Sequence, residues 1–195
     1  MDVSINKISN EQLDKQISES KYVMNSLSIS FSYIYAKGLV VLNWGDILIA
    51  IDNGFLPHQA AIDHAISQIE KDDAYSQDIL DLACLSPSEA AYPHSIQPYV
   101  NNLTNLVSEH EKETAKQKML YLVLKWMFEH RLNYVDPLKA VEIVYADFDY
   151  PKEISNFVRY MPMSQPDLGS VQLNEERLFI NWNNYLENNK DTFLM

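Results

Sequence analysis

The chain has little of what disulfide-built, metal-binding and nucleotide-binding proteins depend on. Its 195 residues include one cysteine, Cys84, so no intramolecular disulfide or multi-cysteine zinc finger can form, and a reducing compartment is expected. Cys84 lies in the apolar run 79–85 and reads as a small buried hydrophobe. The four glycines, Gly38, Gly45, Gly54 and Gly169, are too scattered for a phosphate-cradling loop or a G-x-S-x-G nucleophile elbow. Glycine this scarce also disfavours an all-β fold, whose tight turns need it. Positive charge is the other shortage. Lys and Arg number 15 against 27 Asp and Glu, a net charge of -12, which argues against nucleic acid or an anionic membrane and favours a basic partner. The longest apolar stretches, 39–42 and 119–124, fall far short of the ~20 residues a membrane span needs. Residues 1–7 lack a basic region followed by an apolar core, so no secretory signal and a cytoplasmic location are expected.

What is present is apolar and helical. A hydrophobic share of 47% and an aromatic share of 11% sustain a folded core, in a single domain or at most two small lobes. Helix punctuation recurs. Asn43 with Asp46 predicts an N-cap for a helix over 44–52, with Asn53-Gly54 as its left-handed stop. Pro57 reads as the first position of a second helix ending near Lys71, with Ile62, Ala65, Ile66 and Ile69 on one face. A third segment covers 78–85. Ser86-Pro87-Ser88-Glu89 is a capping box for a short helix that stops before Pro93, and Pro98 opens another. From 111 to 131 there is no Gly, Pro or Asn, and the stripe Met119, Leu122, Val123, Trp126 marks a helix central to the core. Asp136-Pro137 starts one to about Ala146, Pro151 another through Tyr160, Asn174 caps a last one to about Asn188, and 162–171 reads as loop. Residues 22–37 fit either period, with helix favoured because Gly38 follows Lys37 as a stop. The expected fold is all-α, with about nine to eleven helices and successive pairs that permit a solenoid-like stack. Residues 1–38 form an amino-terminal helical segment and 39–195 the main helical domain.

Catalytic and metal templates mostly fail. No two of His58, His64, His94, His110 and His130 stand four apart, the spacing that lets one helix offer two imidazoles to zinc. Asp147-Phe148-Asp149 is the one close carboxylate pair that invites a divalent cation or acid–base chemistry. The structural alternative is that Asp149 caps the helix begun by Pro151, while Asp147 ends the preceding helix and pairs with Arg159. Trp44, Trp126 and Trp182 each sit on an apolar helical face and read as core. No catalytic, cofactor-binding or metal-binding residue is assigned.

Charge distribution is more informative. Between Asp72 and Glu111 stand Asp72, Asp73, Asp78, Asp81, Glu89, Glu109 and Glu111, with no Lys or Arg. A solvated face that keeps the chain soluble is one reading; a docking surface for a basic protein is the other, and there the acids would hasten encounter and select the partner.

Three runs carry a resemblance: 145–151 (Tyr-Ala-Asp-Phe-Asp-Tyr-Pro), 157–162 (Phe-Val-Arg-Tyr-Met-Pro), and 174–178 (Asn-Glu-Glu-Arg-Leu) with Trp182. Leu42-Asn43-Trp44-Gly45-Asp46-Ile47, then Asn53-Gly54-Phe55-Leu56, and the Lys125-Trp126 helix add to it. Over Leu39 to Leu186 the chain resembles an uncharacterised bacterial family, domain of unknown function 2247. Some members of that family are immunity proteins beside secreted toxins of bacterial competition systems. The resemblance implies a non-enzymatic, cytoplasmic inhibitor that binds one cognate toxin. Because nuclease toxins are basic where they hold phosphate backbones, an acidic inhibitor suits a nuclease. Two other readings stand beside it: a metal-dependent hydrolase using Asp147 and Asp149, and a helical adaptor.

Overall fold

A computed structural model of the chain describes residues 7–71, 75–105, 107–163 and 165–194, with the side chain of residue 113 also left out. Among these residues there are ten α-helices and two 3-10 helices, and no strand beyond one isolated bridge. The chain is all-α, as its caps and apolar spacings predict. Its residues group into two compact units, Ile29–Met119 and Met1–Ser28 with Leu120–Met195.

In the unit Ile29–Met119, α2 (Tyr33–Lys37) is a single turn capped by Ser32 and ended at Gly38. Residues 20–32 before it are neither helix nor strand, so only the end of the ambiguous stretch 22–37 is helical. Helix α3 (Trp44–Asp52) starts at a reciprocal capping box between Asn43 and Asp46, as the sequence predicts. It stops at Gly54, whose φ of 70° lets the chain turn back so that Phe55 N–H reaches the Ala50 carbonyl at 2.8 Å. Helix α4 (Gln59–Ile69) follows, with Pro57 two residues ahead of it rather than at its first position. Its buried positions are Ala60, Ala61, Ile62, His64, Ala65 and Ser67, while Ile66 is 41% exposed. The apolar spacing therefore misplaces the inner face by part of a turn, because polar His64 and Ser67 point inward.

Helix α6 (Pro87–Ala90) has the Ser86–Glu89 capping box read from sequence, while α5 (Gln77–Ala83) is capped by Ser76, a serine just before the expected segment 78–85. Helix α7 runs Pro93–Thr104, with Pro98 inside it. Pro98 thus does not open a helix; Pro93 does, since a first-turn proline forfeits no hydrogen bond, and Ile96, Val100 and Leu103 give the buried side. The most extensive packing in this unit is α4 on α5 and α3 on α7, around Ile47, Phe55, Leu56, Leu82 and Leu103.

Helix α8 (Glu109–Glu129) begins in this unit and ends in the other, and Met119 to Leu124 are all buried. Burial of that stretch on every side is what its unbroken apolar run requires, while the ends of α8 carry exposed residues.

In the second unit, α1 (Asn10–Glu19) carries its own capping box, Ser9 with Gln12. Before it, Ile8 bridges Tyr134 through Ile8 N–H to Asn133 carbonyl at 2.7 Å and Val135 N–H to Ile8 carbonyl at 2.9 Å. A 3-10 turn (Arg131–Asn133) leads to α9 (Pro137–Asp147), capped by Asp136. The segment after Pro151 is a 3-10 helix, Lys152–Phe157, shorter than the helix to Tyr160 that proline spacing suggests. Helix α10 (Val171–Asn189) is capped by Ser170, so Asn174 lies in its first turn instead of starting it. Trp182 is fully buried against Phe128, edge to face at 5.1 Å between centroids, and Phe157 at 6.2 Å. Trp44 is buried as well; Trp126 is only half-buried, its ring stacked on His130 at 4.2 Å.

Candidate functional site

The acidic stretch divides by what each carboxylate does locally. Asp72 and Asp73 lie outside the described residues. Asp78 and Asp81 sit on α5, the first half-buried and the second exposed, with Asp81 accepting from Gln77 Nε2 at 2.6 Å. Glu89 closes the α6 cap, taking the Ser86 N–H at 2.8 Å and hydroxyl at 2.7 Å. Glu111 does the same for α8 with Ser108, at 2.9 and 2.6 Å. Hydrogen bonds from the Ser86 backbone and hydroxyl hold Glu89 below the usual carboxylate range, and those from the Ser108 hydroxyl and backbone do so for Glu111. Glu109 pairs with Lys112 at 2.7 Å. Four of the five described acids, Asp81, Glu89, Glu109 and Glu111, are exposed, so helix-end duties leave their charge facing water.

Aromatic groups stand out in the same stretch. Tyr75 is 39% and Tyr92 58% exposed, flanking α5 and α6, both of which pack on neighbours within the unit. Cys84, expected inside, is exposed at the end of α5, because Leu82 takes the buried position there. A tyrosine hydroxyl satisfied by water and a large ring beside it suit an interface that is dry at its centre and wet at its rim.

Asp147 and Asp149 differ in their surroundings. Asp147 ends α9 and receives both the backbone N–H of Ser26 at 2.8 Å and its hydroxyl at 2.6 Å, one on each carboxylate oxygen. Burial pushes its pKa up and the two Ser26 bonds act against that. It does not pair with Arg159. Asp149 is exposed with φ 66°, followed by Tyr150 at φ 58°, and it caps nothing: the 3-10 helix that follows Pro151 has no side-chain cap. Among the described residues no group of three or more His, Cys, Asp and Glu side chains could hold a metal ion.

The most specific sequence runs are instead held together by Arg159. Its Nη2 meets Asp136 at 2.9 Å, its Nε meets Glu142 at 3.0 Å and its Nη1 approaches Glu175 at 3.6 Å. Arg177 and Asn174 fasten the preceding loop, Arg177 by donating to the Pro166 carbonyl at 2.5 Å and Asn174 by accepting the Leu168 N–H at 3.2 Å. Between the 3-10 helix and α10 this leaves a mainly apolar groove of about 420 Å³, with Val158, Met161, Met163, Val171 and Leu178 on its walls.

A second cavity, about 230 Å³, was not foreseen. It lies in the unit Ile29–Met119, where α2 supplies Tyr33 and Lys37, α4 supplies His64, Ser67 and Gln68, and Lys71 follows α4. His64 Nδ1 is 3.0 Å from the Tyr33 hydroxyl and its Nε2 is 3.4 Å from Gln68 Nε2. Trp44 Nε1 donates to Gln68 Oε1 at 3.1 Å, and the Trp44 ring meets the imidazole edge to face at 4.7 Å. Lys37 Nζ donates to Ser67 Oγ at 2.7 Å. Burial, then the charges of Lys71 and Lys37, hold the His64 pKa down to about 4, so the ring is neutral near pH 7. The sequence signal was present. His64, Ser67, Gln68 and Lys71 are spaced three, four and seven apart, a polar stripe at helical period, which a search for paired histidines passes over.

These features define an acidic, all-α chain with exposed carboxylates and tyrosines in one unit and an arginine-clasped motif region in the other. Residues 33–190 match the family described as an uncharacterized protein conserved in bacteria, DUF2247, and the chain belongs to that family. No curated protein and no solved structure matches the chain. No helix among the described residues is long and apolar enough to cross a membrane.

Proposed function

We propose that the chain is an immunity protein: a non-enzymatic, cytoplasmic inhibitor that binds a cognate secreted toxin of a bacterial competition system, one to one, and neutralises it. The toxin is a basic nuclease. The observation that carries this reading is the segment 75–111, which bears exposed Asp81, Glu89, Glu109 and Glu111 with exposed Tyr75 and Tyr92, and no Lys or Arg. Carboxylates kept ionised at helix ends steer a basic partner towards the surface, and tyrosines supply area that stays buried once it docks. The resemblance of the sequence runs to a family with members at toxin loci points the same way. The hydrolase alternative is weakened by Asp147, whose two oxygens each accept a hydrogen bond from Ser26, a structural tie to a distant part of the chain.

The test is co-expression with a toxin domain encoded beside this chain, followed by gel filtration of the purified pair. Cells should survive with this protein and die without it, and the two proteins should elute together. Changing Asp72→Lys, Asp73→Lys and Asp78→Lys together should slow association by about tenfold at low salt, the effect shrinking as salt screens the charges. Attaching a bulky maleimide to exposed Cys84, the chain's one thiol, should block the complex. Failure to co-elute would end the immunity reading. Binding that ignores both the triple reversal and the thiol adduct would move the interface elsewhere.

A further inference from the structure

The cavity around His64 has a composition at odds with the rest of the chain. In a sequence of 15 basic against 27 acidic residues, two lysines line it and, among the described residues, no carboxylate does. One fixed donor sets its hydrogen-bond directions. An indole nitrogen only donates, so Trp44 Nε1 fixes Gln68 with its oxygen towards Trp44 and its amide nitrogen towards His64. Gln68 then donates to His64 Nε2, which leaves the ring proton on Nδ1, directed at the Tyr33 oxygen. Both ring nitrogens are engaged and the imidazole has no lone pair left for a metal ion.

The charged donors are the two ammonium groups. Lys37 directs one N–H at Ser67, and each ammonium carries three donors and no acceptor. Val40 and Leu42 form an apolar part of the wall, where a charge-assisted hydrogen bond is stronger than in open water. Two cations beside a neutral imidazole carry the charge that balances a dianion. A volume of about 230 Å³ is several times the ~30 Å³ of one liquid water, so a tetrahedral oxyanion fits with room for a substituent.

We infer that this cavity binds a phosphate dianion, free or as a small monoester, between Lys37 and Lys71. Asp63, whose charge reaches Tyr33, is on α4 but outside the lining, and accepts from Gln59 Nε2 at 3.1 Å. The site is independent of toxin binding and stands or falls separately from it.

Isothermal titration of the full chain with sodium phosphate, and separately with glycerol 3-phosphate, should give saturable binding that sodium chloride of matched ionic strength does not. Tighter binding of the ester would identify a phosphorylated small molecule as the natural ligand, and tighter binding of inorganic phosphate the free ion. The double variant Lys37→Gln, Lys71→Gln should weaken binding by roughly a hundredfold, about tenfold for each lost charge-assisted bond. Both lysines are exposed, so the variant should keep its helical circular dichroism. As a check on the wild-type chain, the His64 Nδ1–H proton resonance should move with phosphate along the same isotherm. Absence of saturable binding by both ligands, or equal binding by the double variant, would overturn the assignment.

Discussion

Replacing Lys118 with Met would strip the counterion from a fully buried carboxylate. Asp46 has 0% and Lys118 13% of the side chain exposed, and Lys118 Nζ lies 2.7 Å from Asp46 Oδ2. The same oxygen accepts the Asn43 N–H at 2.7 Å, while Asp46 Oδ1 is buried with no hydrogen-bond partner among the described residues. Lys118 also donates to the Val41 carbonyl at 2.9 Å. At this separation and an effective dielectric constant of about 20, attraction amounts to roughly 6 kcal/mol, which the desolvation of both groups largely offsets. Removing one partner is another matter, because the remaining charge keeps its desolvation cost. Met preserves most of the apolar stem, so the loss is electrostatic, about 3–5 kcal/mol, towards the lower end because Asp46 can take up a proton and keeps the Asn43 bond.

The pH dependence provides a second signature. Burial raises the Asp46 pKa, and Lys118 opposes that rise through its hydrogen bond and charge. Without Lys118 the folded value climbs further above the unfolded one. A carboxyl that holds its proton more tightly when folded contributes stability below the unfolded pKa, and loses it as pH rises through the folded pKa. The deficit of Lys118→Met should therefore be larger near pH 8 than near pH 5. Urea unfolding followed by circular dichroism at both pH values, with Asp46→Asn completing a double-mutant cycle, measures it. A loss under about 1 kcal/mol at pH 8, or the same loss at both pH values, would refute the reasoning.

His64 is nearly neutral in the folded chain down to about pH 4, so its contribution to stability is present above pH 6.5 and lost as pH falls from 6.5 to about 4. The loss should approach about 3 kcal/mol, and thermal melts of His64→Gln across that window should lack it. Asp147→Asn should cost about 1–2 kcal/mol by weakening both Ser26 bonds, whereas Asp149→Asn should stay within about 0.5 kcal/mol because asparagine tolerates left-handed backbone at least as well. Equal costs for the two in chemical denaturation would contradict the division of roles described for them. Pro98→Ala should raise stability by about 1 kcal/mol or more, since it restores a donor to the interior of α7. A fall in melting temperature would mean instead that the proline ring itself is needed for the packing of α7.

Local chemistry wrote most of the helices into the sequence. A cap, a proline at the first turn and an apolar period act within four residues, so α3, α5, α6, α8 and α9 begin and end close to where those signals stand. Where two local readings competed, tertiary packing chose. Pro98 reads locally as a helix opening, yet burial of Ile96 along with Val100 and Leu103 carries α7 from Pro93 through it. Residues 20–32 were ambiguous because their apolar groups, among them Leu27, Ile29 and Phe31, are buried without regular backbone, so no period governs them. The acidity of 72–111 was plain from the sequence, but exposure of Tyr75, Tyr92 and Cys84 depends on which side of α5 and α7 meets the core. Contacts between distant residues were beyond any local signal. Ser26 reaches Asp147 across 121 residues, Lys118 reaches Asp46 across 72, and Tyr33 reaches His64 across 31. Each joins polar groups whose burial is tolerable only together, and no spacing along the chain encodes that requirement.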